Sequence, residues 1–494
     1  MANTINTAVV TLQAILLVPL YLAALGPHLY GSWLASGEIL VWMQALDLGI
    51  PNLLIQRIGA AHARGDKRAV GEWLASGAIV IIVVAGAVAA LGAVVSFVIP
   101  RLFSLNPIEA VQLQGAFLVA ALAVSGVVVS NIAVALSRGL QDTLFMSAAV
   151  VAASVASLLT SLVLIVQGFG LWAIAFGLVA RAVVMLFATA VFISHSLQQG
   201  LGRFVRVRST VLRECLVISP LTAVAGIGYA VMNQSETFLI AVLVRPELAV
   251  VYSVTRKGAE VGRGLVDVLG AASYGGFAHL VASSERHRAL QVLDEVTSLR
   301  TSIAVATAAA YVAVNASLVA VWVGPEQYGG LLLTGLVAVQ SVILGGAYLL
   351  NYLYRAVGNV ARGSLALIVE MAIRLPFMAV ALLAFGLPAL PIAASVTAAT
   401  SGIVLSRWIH SELADFAEVS GAGSKITWST RAIIFGTGLA LGYWLFEPSW
   451  PYVLIVGFVV AAVASLVLVV VDPNVGQSRR QLSRIVARAG LARP

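Results

Sequence analysis

Apolar runs of about 20 residues recur along this whole sequence, and short stretches rich in charged residues, Gly or Pro separate them. An α-helix of that length crosses the hydrocarbon layer of a bilayer. The runs lack the ten-residue alternation of outer-membrane barrels, and their Ala, Leu, Val and Gly content favours helices packed through small residues. The pattern therefore predicts an all-α polytopic membrane protein.

About fourteen transmembrane helices are expected from these runs. Their approximate spans are 5–27, 33–57, 73–99, 113–136, 144–167, 170–194, 216–243, 248–280, 300–323, 329–354, 364–385, 389–406, 432–447 and 450–471. Among the connections, alternate ones hold almost all of the Lys and Arg residues, whereas the other set holds only Arg101 and Arg245. Because cations stay on the cytoplasmic side, this asymmetry places both termini in the cytoplasm.

Short matches at a constant offset indicate an internal repeat. "PHLYGSW" (27–33) is similar to "PELAVVY" (246–252), 219 residues later, and "FGLWA" (169–173) is similar to "FGLPA" (385–389), 216 residues later. This predicts two six-helix lobes, related by a pseudo-twofold axis along the membrane normal, with alternating access to a site between them. The expected organisation is an N-terminal lobe 1–195, a basic cytoplasmic linker 196–215, a C-terminal lobe 216–410, a cytoplasmic connection 411–431, helices thirteen and fourteen in 432–471, and a basic cytoplasmic tail 472–494.

Composition and charge argue against several classes of function. The mean hydropathy is +1.00 and only 10% of the residues are charged. The net charge of +8 lies mainly in the connections between apolar runs, where cations set the orientation of the protein in the membrane. This distribution does not indicate nucleic-acid binding. The single cysteine, Cys215, forms no internal disulfide, and the His and Cys spacing predicts neither a metal site nor a cofactor. No nucleophile, base and acid constellation appears, so we expect a protein that is not an enzyme.

Five charges occupy the predicted eighth span, in "VYSVTRKGAEVGRGLVDVLG" (251–270). Arg256, Glu260, Arg263 and Asp267 share one helical stripe, and Lys257 lies beside it. Each charge facing lipid would cost about 2.5 kcal/mol or more, so the stripe must face protein or a water-filled cavity. A self-neutralising salt-bridge ladder is one interpretation, and a cavity for an anionic substrate is the other, favoured by the surplus cation Lys257.

Other charges lie inside predicted spans. Arg181 in the sixth has no local partner, and Asp47 lies in the second. Glu370 and Arg374 in the eleventh have the i, i+4 spacing of a salt bridge, which favours a structural pair. These four residues are further candidates for lumen cations or for their supporting acids.

The stretch "LGPHLYGSWLASGEILVWMQALDLGIPNLLIQRIGAAHARGDKR" (25–68) resembles the O-antigen (Wzx-type) polysaccharide flippases of the multidrug/oligosaccharidyl-lipid/polysaccharide (MOP) exporter superfamily. The similar features are a Tyr-Gly-x-Trp entry to the second helix, an Asp-Leu-Gly near its end, and a short Gly-Asp loop. The residues are Tyr30, Gly31, Trp33, Asp47, Leu48, Gly49, Gly65 and Asp66. "VYSVTRK" (251–257) and "VWVGPEQYG" (321–329) are similar to the second-half counterparts.

This resemblance implies a bacterial inner-membrane flippase with a cationic lumen. The substrate would be an oligosaccharide linked to undecaprenyl pyrophosphate, with membrane lipids and a polysaccharide polymerase as further partners. The lumen cations would be Arg256, Lys257, Arg263, Arg181 and Arg374, with Glu260, Asp267, Asp47 and Glu370 as supporting acids. Two alternatives within the superfamily stay open: a cation-coupled multidrug exporter and a flippase for the peptidoglycan lipid precursor.

The tail "SRRQLSRIVARAGLARP" (478–494) has an apolar side and a row of Arg at i+4 intervals. It predicts either a basic helix on the anionic membrane surface or an unstructured tail that fixes topology.

Overall fold

The structure is a computed structural model that describes residues 2–47, 49–201, 206–283, 285–413 and 425–471. Fourteen α-helices and no β-strand occupy these ranges. The helices are α1 Ala2–Gln44, α2 Ile50–Ala63, α3 Lys67–Val98, α4 Pro107–Gly139, α5 Leu144–Val166, α6 Leu171–Ser196, α7 Ser209–Leu243, α8 Pro246–Ala282, α9 Arg286–Trp322, α10 Gly330–Ala356, α11 Val360–Phe385, α12 Ala389–Leu413, α13 Lys425–Trp444 and α14 Trp450–Val471.

Within the described ranges, eleven stretches are long and apolar enough to cross a membrane. One of them, Val9–Ala63, contains most of α1 and all of α2, and neither α7 nor α13 is among the eleven. The prediction of an all-α, multi-pass membrane protein is confirmed.

The first two helices divide differently from the predicted spans 5–27 and 33–57. Helix α1 continues through residues 28–32, and the chain breaks its helical geometry only at Gly26, where φ is 73°. A residue without Cβ tolerates this left-handed conformation, and Pro27 suits the first turn that follows because its missing N–H is not needed there. A short 3-10 helix, Ala45–Asp47, then separates α1 from α2.

Local capping explains where several helices begin. The Asp66 carboxylate accepts a hydrogen bond of 2.9 Å from the Ala69 N–H and so caps α3. Asn106 and Glu109 form a reciprocal capping box at the start of α4, with Pro107 in the first turn. Both signals are present in the sequence just before an apolar run.

The chain divides into two compact units, Met1–Val250 and Val251–Pro494. In unit 1, α4 packs against α3 and α6, α5 packs against α6, and α7 packs against α1. The end of the predicted linker is held in this unit: the Arg208 guanidinium lies 3.0 Å from the Glu72 carboxylate on α3, and Arg57 on α2 pairs with Glu214. The predicted lobe limits stay predictions.

In unit 2, α10 packs against α9 and α12, α11 packs against α12, and α13 and α14 both pack against α9. The order of neighbours α9, α10, α12, α11 repeats the order α3, α4, α6, α5 of unit 1. The equivalent helices begin at similar offsets, 219 positions from Lys67 of α3 to Arg286 of α9, and 216 from Leu144 of α5 to Val360 of α11. Buried alanines along α9, such as Ala306, Ala309 and Ala313, let the neighbouring helices approach closely.

Parts of the predicted cytoplasmic regions fall outside the described residues. These parts are 202–205 of the linker, 414–424 of the connection after α12, and the tail 472–494 with its predicted surface helix.

Candidate functional site

The charged stripe of α8 is buried where it begins, at Tyr252 and Arg256. Tyr252 is fully buried and Arg256 is 9% exposed, whereas Val261 and Val268 on the opposite side are 41% and 65% exposed. The exposure is uneven along the helix, since Val254 is buried and the Asp267 side chain is 41% exposed. The first part of the stripe, at Tyr252 and Arg256, therefore avoids the cost of facing hydrocarbon.

Glu260 forms ion pairs with both Arg256 and Lys257. Its Oε1 lies 2.7 Å from an Arg256 guanidinium nitrogen, and its Oε2 lies 3.1 Å from the Lys257 ammonium. The Arg256 guanidinium also lies over the Tyr252 ring, 5.6 Å from its centroid. Arg256 is thus held on two sides, while the Lys257 side chain remains 38% exposed.

A buried polar network fixes α8 against α9 and α10 just before these charges. The Thr255 carbonyl accepts hydrogen bonds from the Tyr311 hydroxyl at 2.7 Å and the Asn315 amide at 3.2 Å. The Thr255 hydroxyl accepts from the Gly329 N–H at 2.9 Å, and the Asn315 amide also donates to Thr334 at 3.1 Å. These hydrogen bonds join α8 to α9 and to the start of α10, so they oppose rotation of α8 about its axis.

Two arginines share Asp267 further along the stripe. The Arg263 Nε lies 3.9 Å from Asp267 Oδ2, and a nitrogen of Arg300, on α9, lies 4.0 Å from Oδ1. Arg300 is 2% exposed. Arg300 was not among the predicted site residues because it lies at the first position of the predicted ninth span, where a cation is typical of a helix boundary. The helical periodicity of residues 286–299 could have indicated that Arg300 lies inside a longer helix, since α9 begins at Arg286.

Glu370 and Arg374 form a buried ion pair on α11, as their spacing predicts. Arg374 is fully buried, and its other nitrogens donate to the Thr397 hydroxyl on α12 at 2.9 Å and to the Tyr348 hydroxyl on α10 at 3.3 Å. These contacts occupy three guanidinium nitrogens and tie three helices together. They support the structural interpretation of the pair, and a role of Arg374 in substrate binding stays a prediction.

Arg181 and Asp47 lie in unit 1. Arg181 is half-buried on α6, and its side chain has no hydrogen-bond or ion-pair partner among the residues that the structure describes. Asp47 accepts a hydrogen bond of 2.9 Å from the Gly49 N–H, so it stabilises the turn that leads into α2. This local contact gives the Asp-Leu-Gly motif a structural role.

The described residues contain no group of three or more His, Cys, Asp or Glu side chains placed to hold a metal ion. The candidate site is defined by its charged side chains on α8 and α9. Four cations, Arg256, Lys257, Arg263 and Arg300, surround two carboxylates, Glu260 and Asp267. Such a surplus suits reversible contacts with an anionic group.

Solved transporters share this fold. A multidrug resistance MATE family transporter of the MOP superfamily, in an inward-facing conformation, aligns with a TM-score of 0.65 at 14% identity, over 84% of this chain and 100% of that one. The lipid II flippase MurJ, in an inward closed conformation, aligns with a TM-score of 0.64 at 10% identity, over 94% and 98%. A MATE transporter of Vibrio cholerae gives 0.56 at 13% identity, over 83% and 94%.

No protein-family model and no curated protein matches the chain. At the identities of the solved structures the likeness establishes the fold alone. The chain therefore has the multi-pass helical fold of the MATE transporters and of MurJ.

Proposed function

We propose that the chain is a flippase that moves oligosaccharide linked to undecaprenyl pyrophosphate across the bacterial inner membrane by alternating access. Two solved proteins with this fold are a multidrug transporter and a lipid flippase, which supports transport over catalysis. The resemblance of residues 25–68 to O-antigen flippases supports a sugar-linked lipid as the substrate. The further partners that we propose are membrane lipids and a polysaccharide polymerase.

The α8 cluster is the observation that carries this proposal. A diphosphate linkage is the charged part of such a substrate, and Arg and Lys bind phosphate oxygens through strong charge-assisted hydrogen bonds. The exposed fractions of the Lys257 and Arg263 side chains, 38% and 26%, leave these two cations able to reach a ligand. Glu260 and Asp267 hold the cations in place and keep the attraction weak enough for release.

A multidrug exporter is the second candidate, because MATE transporters share the fold. A site for cationic drugs requires carboxylates in excess, whereas the α8 cluster has cations in excess. Under that function, Glu260→Gln and Asp267→Asn would abolish transport while Lys257→Ala would be tolerated. The flippase proposal expects the largest loss from the cation variants.

A flippase for the peptidoglycan lipid precursor also fits the fold, as the alignment with MurJ illustrates. A flippase for the peptidoglycan precursor would be expected to carry charged residues in its first helix. Residues 1–37 of this chain contain no Asp, Glu, Lys or Arg, which argues against that function. We therefore favour the sugar-linked substrate.

Replacing Lys257 or Arg263 by Ala is expected to lower export of lipid-linked sugar about tenfold or more, because a hydrogen bond to a charged group contributes roughly 1.5–3 kcal/mol. Export is measured as surface polysaccharide in cells that depend on this chain, alongside protein abundance in the membrane. The matched control is Arg288→Ala, which removes an exposed cation whose i, i+3 pair with Glu285 spans 3.3 Å, much like Lys257 and Glu260.

Normal export in both variants would contradict the substrate role of the cluster. Loss of both proteins from the membrane would instead identify the stripe as a structural ladder. Arg288→Ala is expected to behave as wild type in both measurements.

The proposed orientation makes a separate prediction. With Cys215 changed to Ser, a cysteine at the exposed Asp142 is expected to react only with a label present in the cytoplasm, and one at the exposed Glu326 only with a label added outside. Labelling of intact cells and of inverted vesicles with an impermeant maleimide measures both. One reversed position would overturn the proposal that both termini are cytoplasmic.

A further inference from the structure

Arg300 lies inside unit 2 with two of its nitrogens unsatisfied. One guanidinium nitrogen, Nη1, donates to the Val342 carbonyl at 2.7 Å. Nε and Nη2 have no hydrogen-bond acceptor among the described residues, and Asp267 at 4.0 Å attracts Nη2 without hydrogen-bonding to it. A buried N–H without an acceptor costs roughly 1–3 kcal/mol, and more for a charged group.

A small cavity adjoins this guanidinium, with room for about one water molecule. Its polar lining consists of Arg263, Arg300, Thr307, Tyr311 and Ser341. The three hydroxyls already donate to backbone carbonyls, Thr307 to Ile303, Tyr311 to Thr255 and Ser341 to Ala338. The donors left for an occupant are therefore guanidinium N–H groups, which favour an anion.

Gly345 on α10 makes this arrangement possible. A Cβ at this position would overlap the Arg300 guanidinium, and one at Gly346 would lie 3.4 Å from its Nη1. The absence of a side chain at Gly345 lets a full guanidinium lie between α9 and α10. Arg300 is thus accommodated by the backbone around it.

We propose that Arg263 and Arg300 bind a small anion in this cavity, either a halide ion or a single oxygen of a phosphoryl group. We call the cavity the anion pocket, with Arg263, Arg300, Thr307, Tyr311 and Ser341 as its polar lining. Two cations against the single carboxylate of Asp267 leave a net positive charge. Asp267 competes with the anion for both arginines, which keeps binding reversible. The proposal goes beyond the proposed function, since it requires no lipid-linked sugar.

Chloride binding to the purified full-length protein in detergent tests this proposal. Line broadening of the ³⁵Cl NMR signal reports bound chloride directly, and gluconate replaces chloride to keep the ionic strength constant. Wild type is expected to broaden the signal saturably. Arg263→Gln is expected to weaken chloride binding about tenfold, since it removes a charge-assisted donor. Asp267→Asn is expected to tighten it about tenfold, since it removes a nearby like charge.

Arg431→Gln is the matched control. Arg431 is another buried arginine that packs on α9, but it donates to the Ser298 and Ser302 hydroxyls at 3.0 and 3.1 Å, outside the anion pocket. Its substitution is expected to leave the chloride affinity unchanged. Arg300→Gln should abolish binding; if that variant does not accumulate, the partly exposed Arg263 and Asp267 still decide the outcome.

The proposal is overturned if wild type shows no saturable broadening, or if Arg263→Gln or Asp267→Asn binds chloride as wild type does. Inorganic phosphate distinguishes the two sources of the anion. Competition with chloride that depends on Arg263 would show that the pocket accepts a phosphoryl oxygen, and its absence would restrict the pocket to halides. If the protein binds chloride as expected but Lys257→Ala and Arg263→Ala export sugar normally, the proposed function is rejected and the anion pocket is retained.

Discussion

Replacing Glu370 by Ala is expected to remove most of the protein from the membrane. Arg374 is fully buried, so loss of its carboxylate partner leaves an uncompensated charge inside unit 2. Breaking a buried ion pair in this way costs roughly 3–5 kcal/mol. That is a large part of the stability of a typical domain, which is about 5–15 kcal/mol. Abundance in the membrane and the midpoint of thermal unfolding in detergent measure the effect.

A double variant separates a structural role of the pair from a role in transport. Glu370→Leu combined with Arg374→Met removes both charges at similar volume, and such replacements are often neutral or stabilising. We expect the double variant to accumulate near the wild-type level. If it accumulates and exports sugar, the pair is structural; if it accumulates without export, Arg374 takes part in transport.

Glu285→Ala serves as the control for Glu370→Ala. Glu285 is 47% exposed and pairs with Arg288, so its loss is expected to change stability by no more than about 0.5 kcal/mol. Equal abundance of Glu370→Ala and Glu285→Ala would contradict the stabilising role that the contacts of Arg374 indicate.

The helical, multi-pass character of the chain was predictable because apolar length determines what can span a bilayer, although eleven stretches of the described residues meet that criterion against fourteen predicted spans. Hydropathy does not detect backbone geometry, however, and so it placed the first break after residue 27. The break lies at Gly26 because the helix stops where a residue can adopt a positive φ, and the following residues re-enter helix at once. Helix α9 likewise begins fourteen positions before its predicted span, because a helix extends past the apolar layer.

The candidate site was predictable only in part. The stripe from Arg256 to Asp267 follows from helical periodicity within one segment, and its ion pairs are local. Arg300 reaches this stripe from a different helix, and Arg374 finds its partners on α10 and α12. Such contacts depend on how the helices pack against one another, and the spacing of residues along one helix does not reveal this. Asp47, in contrast, makes a local contact. It was predicted as a supporting acid, and in the structure it accepts a hydrogen bond from the Gly49 N–H and stabilises a turn.

Helices α13 and α14 were predicted as an addition to the two six-helix lobes, yet glycines place α13 directly against the backbone of α9. A Cβ at Gly438 would lie 2.6 Å from the Ala309 carbonyl oxygen, and one at Gly442 would overlap the Val312 carbonyl. Their Gly-x-x-x-Gly spacing puts both on one helical face, which is the arrangement that lets membrane helices approach closely. Arg431, bonded to Ser298 and Ser302, anchors α13 to α9 at its other end.

Replacing Gly442 by Leu is therefore expected to force α13 away from α9 and to lower the abundance of the folded protein several-fold. Overpacking a tight contact costs about 1–3 kcal/mol, and here the obstacle is backbone that cannot rotate aside. Gly436→Leu on the same helix is the matched control, because a Cβ at Gly436 meets nothing within 4 Å. Membrane abundance and thermal unfolding are measured for both variants. Equal behaviour of the two would show that α13 is not held by this contact. A selective loss in Gly442→Leu would show that the close backbone contact at Gly442 holds α13 against α9.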